Sequence, residues 1–223
     1  MKKWMAAGLM GLALMSPVLT GGLPAAAADS AAEKTWQEAW TAYNIGQYSK
    51  TLRLLRPLAS EGDARSQMLL GRCYENGLGV AQDLPTAFKW YLLAAEQDDA
   101  EAQTLVAYML RSGAGVPRDT AAALQWMQRA ARNGYAEAQF DMALICADGE
   151  LVPKDPEQSF DWARRAAGQG NAQAQRFLGA CYEIGFGTAQ DPAQSALWYA
   201  RAARQGLERD GSVFAHIRQY PRP

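Results

Sequence analysis

The sequence predicts an all-α fold, a right-handed α-solenoid of about five helix–turn–helix units, and three observations carry that reading. The segment "DLPTAFKWYLLAAEQD" at Asp83 returns as "DTAAALQWMQRAARNG" at Asp119, "DPEQSFDWARRAAGQG" at Asp155 and "DPAQSALWYARAARQG" at Asp191, each 36 residues after the one before. A period of that size marks stacked supersecondary units, none of which buries its apolar face alone. Each unit then holds two helix-length segments with start and stop chemistry at fixed places. Finally, a chain of 223 residues that is 49% hydrophobic and 20% charged suits one folded domain with a substantial core.

Taken in order, residues 1–28 differ in kind from the rest. Lys2 and Lys3 precede an apolar run from Trp4 to Leu19, and small residues in "PAAAADS" are spaced for cleavage after Ala28. This is the pattern of a secretory signal, too short for a comfortable membrane span. The expected mature protein is periplasmic or secreted, with no stable membrane insertion. Residues 29–63 predict an N-terminal helix pair, Ala31 to Ile45 and Ser49 to Glu61. Four full units follow at 64–99, 100–135, 136–171 and 172–207. Each first helix closes at Gly77, Gly113, Gly149 or Gly185, where the left-handed region is least strained for glycine. Asp83, Asp119, Asp155 and Asp191 supply N-cap acceptors for the second helices, and Pro156 and Pro192 take the first helical position.

Two departures stand out. Asp98 replaces the closing glycine of the first unit, a position aspartate tolerates better than most residues. Leu151 stands where Gly79, Gly115 and Gly187 lie, so the third loop is expected to have its own shape. Residues 208–223 predict a cap over the last apolar face, with Ser212 to Tyr220 as a short helix and Val213, Phe214 and Ile217 turned inward.

Packing accounts for the residues that recur. Ala94/Ala95, Ala130/Ala131, Ala166/Ala167 and Ala202/Ala203 let neighbouring helices approach closely. Trp90, Trp126, Trp162 and Trp198 fill the space between layers. These are architectural positions, not a cofactor box.

Several chemistries are excluded or lack support. A net charge of −1 gives no footprint for nucleic acid. His216 is the sole histidine, so a multi-imidazole metal site is excluded and a serine triad would depend on that residue alone. No phosphate loop, calcium loop or dinucleotide fingerprint occurs. No cofactor or metal is expected, and no catalytic residue is assigned. Among the cysteines, Cys73 and Cys181 lie three layers apart. Cys146 and Cys181 sit in adjacent units, so either that pair is bridged or all three are small buried hydrophobes.

The pattern A-x-A-Q, G-x-x-Y-x-x-G-x-G-V, D, A-x-x-W-Y, A-A resembles the Sel1-like repeat family, a branch of the tetratricopeptide superfamily. The first unit carries it best, with Gln67, Gly71, Tyr74, Gly77, Gly79, Val80, Asp83, Ala87, Trp90, Tyr91, Ala94 and Ala95. The resemblance implies a non-catalytic protein-binding scaffold. Partner classes it implies include envelope or polysaccharide machinery, signalling regulators and secreted toxins, some small periplasmic relatives being immunity proteins against phospholipase-type effectors. It also implies weak β-lactam binding or hydrolysis as an alternative, although no serine here is followed three residues later by lysine. Relatives stapled by disulfides use a cysteine in both helices of a unit, which this chain does not.

In the tetratricopeptide arrangement the first helices line the concave side. The outward positions there are Met68, Arg72 and Glu75, then Thr104, Tyr108 and Arg111, then Phe140, Leu144 and Ala147, and last Arg176, Ala180 and Glu183. Of these, Met68, Arg72, Glu75, Tyr108, Arg111, Phe140, Leu144, Arg176 and Glu183 are the expected partner-binding residues. They combine apolar anchors with charged rims, as protein interfaces do. Phe140 and Tyr108 fall outside the recurring core set and are expected to leave the fold intact when truncated.

Overall fold

The computed structural model describes residues 25–208 and Ile217, with side chains from residue 31 onward. Among the described residues there are ten helices and no strands: α1 (Ala25–Asn44), α2 (Tyr48–Ser60), α3 (Ala64–Asn76), α4 (Leu84–Glu96), α5 (Ala100–Ser112), α6 (Thr120–Arg132), α7 (Ala136–Asp148), α8 (Pro156–Gly168), α9 (Ala172–Ile184) and α10 (Pro192–Ala203). Each helix packs on its sequence neighbours, more extensively within a pair than between pairs. That one-dimensional pattern defines a solenoid. The N-terminal helix begins at Ala25, earlier than the expected Ala31, and runs through the expected cleavage point. None of the described helices is long and apolar enough to cross a membrane.

The boundaries follow from the chain chemistry. Asp83, Asp119, Asp155 and Asp191 each accept a backbone N–H one turn into α4, α6, α8 and α10. Gly77, Gly113, Gly149 and Gly185 close the first helices at φ of 68°, 78°, 76° and 75°. Asp98 is the only non-glycine residue with positive φ among those described, at 66°. It does more than tolerate that geometry. Its carboxylate accepts from Asn133, the C-cap of α6, at 3.1 Å and from Arg129 on α6 at 2.9 Å, and these bonds hold it below the usual carboxylate range.

Ala94, Ala95, Ala130, Ala131, Ala166, Ala167 and Ala202 are at most 2% exposed, as close helix approach requires. Ala203 is the exception and is exposed. The four tryptophans depart from expectation in degree. Trp90, Trp126, Trp162 and Trp198 are half-buried, while the position after each, Tyr91, Met127, Ala163 and Tyr199, faces its own unit's core. Trp126 and Trp162 nevertheless each touch two successive core clusters, so they do bridge layers. Their outer faces are covered by Arg129 and Arg165 one turn on, at 5.3 and 4.7 Å, and Arg201 covers Trp198 at 4.4 Å.

A buried polar ladder runs beside this core. Gln67, Gln103, Gln139 and Gln175 donate to the carbonyls of Ala59, Ala95, Ala131 and Ala167 in the preceding pair, at 3.0, 3.0, 3.1 and 3.3 Å. Each side-chain oxygen accepts from Gln97, Asn133, Gln169 or Gln205 at the end of its own unit. Buried amides are costly unless paired, and these are paired on both ends. Ile217 is fully buried against the last cluster, in accord with its inward placement, while Val213, Phe214, His216 and the expected helix from Ser212 to Tyr220 lie outside the described residues.

Candidate functional site

The expected concave residues divide into three groups. Glu75 and Glu183 are tied inside their own units, accepting from the hydroxyls of Tyr91 at 2.7 Å and Tyr199 at 2.9 Å. These tyrosines stand over Gly71 and Gly179, where an added Cβ would lie only 2.5 and 2.8 Å from the ring. Units two and three carry Ala107 and Ala143 instead, with Met127 or Ala163 above and Arg111 or Ala147 beside them. Glycine, tyrosine and glutamate therefore travel together, and Glu75 and Glu183 are parts of a packing device.

A second group joins neighbouring units. Arg72 forms an ion pair with Glu101 across units one and two. Phe140 is not a free anchor as expected: its ring meets that of Phe177 edge-on at 6.0 Å, between units three and four. Met68 packs against the core shared by units one and two, and Thr104, Ala147 and Ala180 are buried. Arg176 is half-buried on α9.

The third group converges. Tyr108, Arg111 and Leu144 meet at the junction of units two and three, where the guanidinium of Arg111 lies 5.4 Å from the ring centre of Tyr108. The Tyr108 hydroxyl donates to Asp141 of α7. Leu69, Leu105 and Phe177 hold the corresponding place in the other units, so Asp141, half-buried, occupies a position that is otherwise apolar. Burial pushes its carboxyl above the ordinary value, while Tyr108 and Arg111 oppose that shift. Beside this pair opens a cleft of about 290 Å³. Arg111, Arg118 and Thr120 form its unit-two wall. Asp141, Asp148 and Glu150 stand on the unit-three side, together with Leu144, Ile145 and Leu151.

The junction is also the least extensively packed of those between units. Its first helix, α7, has Tyr135 at the N-cap and so no side-chain cap, whereas Asp63, Asp99 and Asn171 cap α3, α5 and α9. Gly79, Gly115 and Gly187 have φ of 73°, 72° and 67°. A Cβ on Gly115 would lie 2.7 Å from Pro85 N and nearer still to the Leu84 carbonyl. Such a glycine presses the loop onto the start of the preceding unit's second helix. Leu151 cannot follow it there, so the third loop differs, as its sequence implies.

With this geometry in hand, the comparisons decide the family. The family model for the Sel1 repeat matches residues 64–99, 100–135, 136–171 and 172–207. The chain belongs to the Sel1 repeat family. Among solved structures it is similar to a Sel1 repeat protein from Oxalobacter formigenes, with 29% identity over 77% of this chain and 70% of that one and a TM-score of 0.71. It is also similar to a protective antigen of uropathogenic Escherichia coli with the same repeat fold, with 28% identity and a TM-score of 0.73, over 82% of this chain. The chain spans 40% of that antigen. No curated protein matches.

Sel1 repeat proteins bind protein partners, and the family is in general a non-catalytic scaffold. Among the described residues of this one, no three His, Cys, Asp or Glu side chains gather to hold a metal ion. Cys73, Cys146 and Cys181 are buried free thiols, so Cys146 and Cys181 are not bridged. Burial pushes the Cys73 and Cys146 thiols up to about 11, which keeps them protonated and unreactive. Cys146 instead donates to Gln158 at 3.1 Å.

Sequence reasoning found Tyr108, Arg111, Leu144 and Leu151 but missed Asp141 and Arg118. The signal for Asp141 was available as an acid in register with Leu69, Leu105 and Phe177. Arg118 lies in a loop, where a helical register gives no direction.

Proposed function

We propose that this chain is a non-catalytic, exported scaffold that binds a partner protein on its concave side, centred on the junction of units two and three. One observation carries the reading: the residues that break the repeat, Tyr108, Arg111, Asp141 and Leu151, collect around one cleft, while those that keep it are consumed in packing. Function in a repeat protein resides in the surface that varies between units. A mixture of arginine, tyrosine and leucine with acidic neighbours suits a protein interface.

The partner, on this reading, is an exported protein: a secreted effector that the chain neutralises, or an envelope component that it tethers. Export is supported by the Lys2–Lys3 and apolar pattern ahead of Ala28, and N-terminal sequencing of the envelope form tests it. Co-expression with candidate effectors separates the two partner classes, since only an inhibitor restores growth.

The binding face is tested by capturing a partner from envelope extract, identifying it, and titrating variants against it. Arg111→Glu is expected to weaken binding roughly tenfold, whereas Lys89→Ala on the outer face of α4 leaves it unchanged. Loss at Lys89 with full binding by the Arg111 variant would move the site to the convex side. Absence of turnover of a chromogenic β-lactam is the expected result for the purified protein.

A further inference from the structure

The geometry points to a peptide-recognition subsite: we propose that the cleft between units two and three receives one apolar side chain of a partner segment, flanked by an acidic residue towards unit two and a basic residue towards unit three. This deepens the protein-binding reading above, on which it rests, by naming the chemistry recognised.

The residue of this cleft's lining that replaces the turn glycine of the other units is Leu151. In the other three full units the turn glycine brings backbone against backbone: a Cβ on Gly79 would lie 2.9 Å from the Tyr48 carbonyl carbon, and one on Gly187 2.6 Å from that of Pro156. Leucine at 151 both excludes that approach and prefers φ below zero. The third loop therefore leaves space before Thr120, and Leu151 itself lines what opens.

Its lining decides what fits. The side chains of Leu144, Ile145 and Leu151 favour an aliphatic group over a polar one. Arg111 and Arg118 come from unit two, and Asp141, Asp148 and Glu150 from unit three. A ligand of one sign gains from one wall and is repelled by the other, whereas a segment with opposite charges on either side of its apolar residue gains from both. The walls would thereby also fix the direction in which the partner chain runs. The presence of Asp141 favours a functional cause. A half-buried carboxyl where its sister units place Leu69, Leu105 or Phe177 lowers stability, and residues that break the local rules of a fold collect at functional sites.

The test uses the purified full chain and acetylated, amidated five-residue peptides with a central leucine. Their flanking positions carry acid and base, two acids, two bases or no charge, and binding is read by fluorescence anisotropy. The mixed-charge peptide is expected to bind about tenfold tighter than the other three. Arg118→Glu should transfer the preference to the peptide with two bases, and Glu150→Lys to the one with two acids. Leu151→Gly restores the turn of the other units, so it should abolish binding while keeping or raising the melting temperature, and Leu151→Ala should only weaken it. Failure of every peptide to bind, charge preferences that the two reversals do not move, or wild-type binding by the Leu151→Gly protein would each overturn the subsite. If the peptides fail while Arg111→Glu still weakens the captured partner, the concave-face reading stands and the subsite alone falls.

Discussion

The junction between units one and two and the junction between units two and three are built from the same helices in the same order, yet one is closed and the other open. At the first, Asp99 caps α5, Gly115 presses on Leu84 and Pro85, Arg72 pairs with Glu101, and Asp98 takes hydrogen bonds from Arg129 and Asn133. At the second, α7 lacks a side-chain cap, Leu151 replaces the glycine, and a half-buried aspartate stands where the register calls for an apolar residue. The locks between repeats are separable, and a solenoid can drop several at one place while its polar ladder continues unbroken through Gln139.

The largest expected effect comes from breaking the closed junction. Gly115→Leu puts a side chain into the Leu84 carbonyl and demands a left-handed backbone from leucine, so it should lower stability by roughly 2–4 kcal/mol in denaturant titration. The matching change in the other direction, Asp141→Leu, fills the open junction as its sisters are filled. It should raise stability by about 1–2 kcal/mol at neutral pH, in exchange for lost partner binding.

Asp141→Asn sharpens the same contrast through pH. Because the folded protein holds the Asp141 proton more tightly than the unfolded chain does, wild-type stability from this group is present at low pH and falls as pH rises through the raised folded value. The asparagine keeps an acceptor for Tyr108 and cannot ionise. Its advantage over wild type should therefore be absent in acid and complete at neutral pH, as thermal melts across that range will record. A constant difference at every pH would mean that Asp141 is not held above its ordinary value. The smallest effect is expected from Arg72→Ala. Its bridge to Glu101 is partly exposed, and such pairs contribute about 0–1 kcal/mol.

The fold was legible because each of its signals is local. Capping aspartates, closing glycines and alanine pairs act within a few residues of where they stand, so their spacing alone located the helices from Ala64 onward. Leu151 announced an altered loop for the same reason. The concave side was less legible, since facing outward on one helix says nothing about what the next helix brings. Phe140 and Glu75 have helical positions similar to those of Tyr108 and Arg111, yet Phe177 meets the first and Tyr91 the second. The start of α1 at Ala25 was missed because the alanine-rich stretch carries both helix propensity and cleavage spacing.

The glutamine ladder has a consequence for how such chains change length. Every rung asks for a carbonyl one pair back and an amide at the end of its own unit, so a copied unit arrives with one connection already inside it and the other suited to whichever unit precedes it. Insertion of a single residue inside a unit would instead carry one amide past its carbonyl and strand it in the interior. Growth and loss are thereby quantised in whole units, and position 211, one period after Gln175, carries glycine in place of the glutamine.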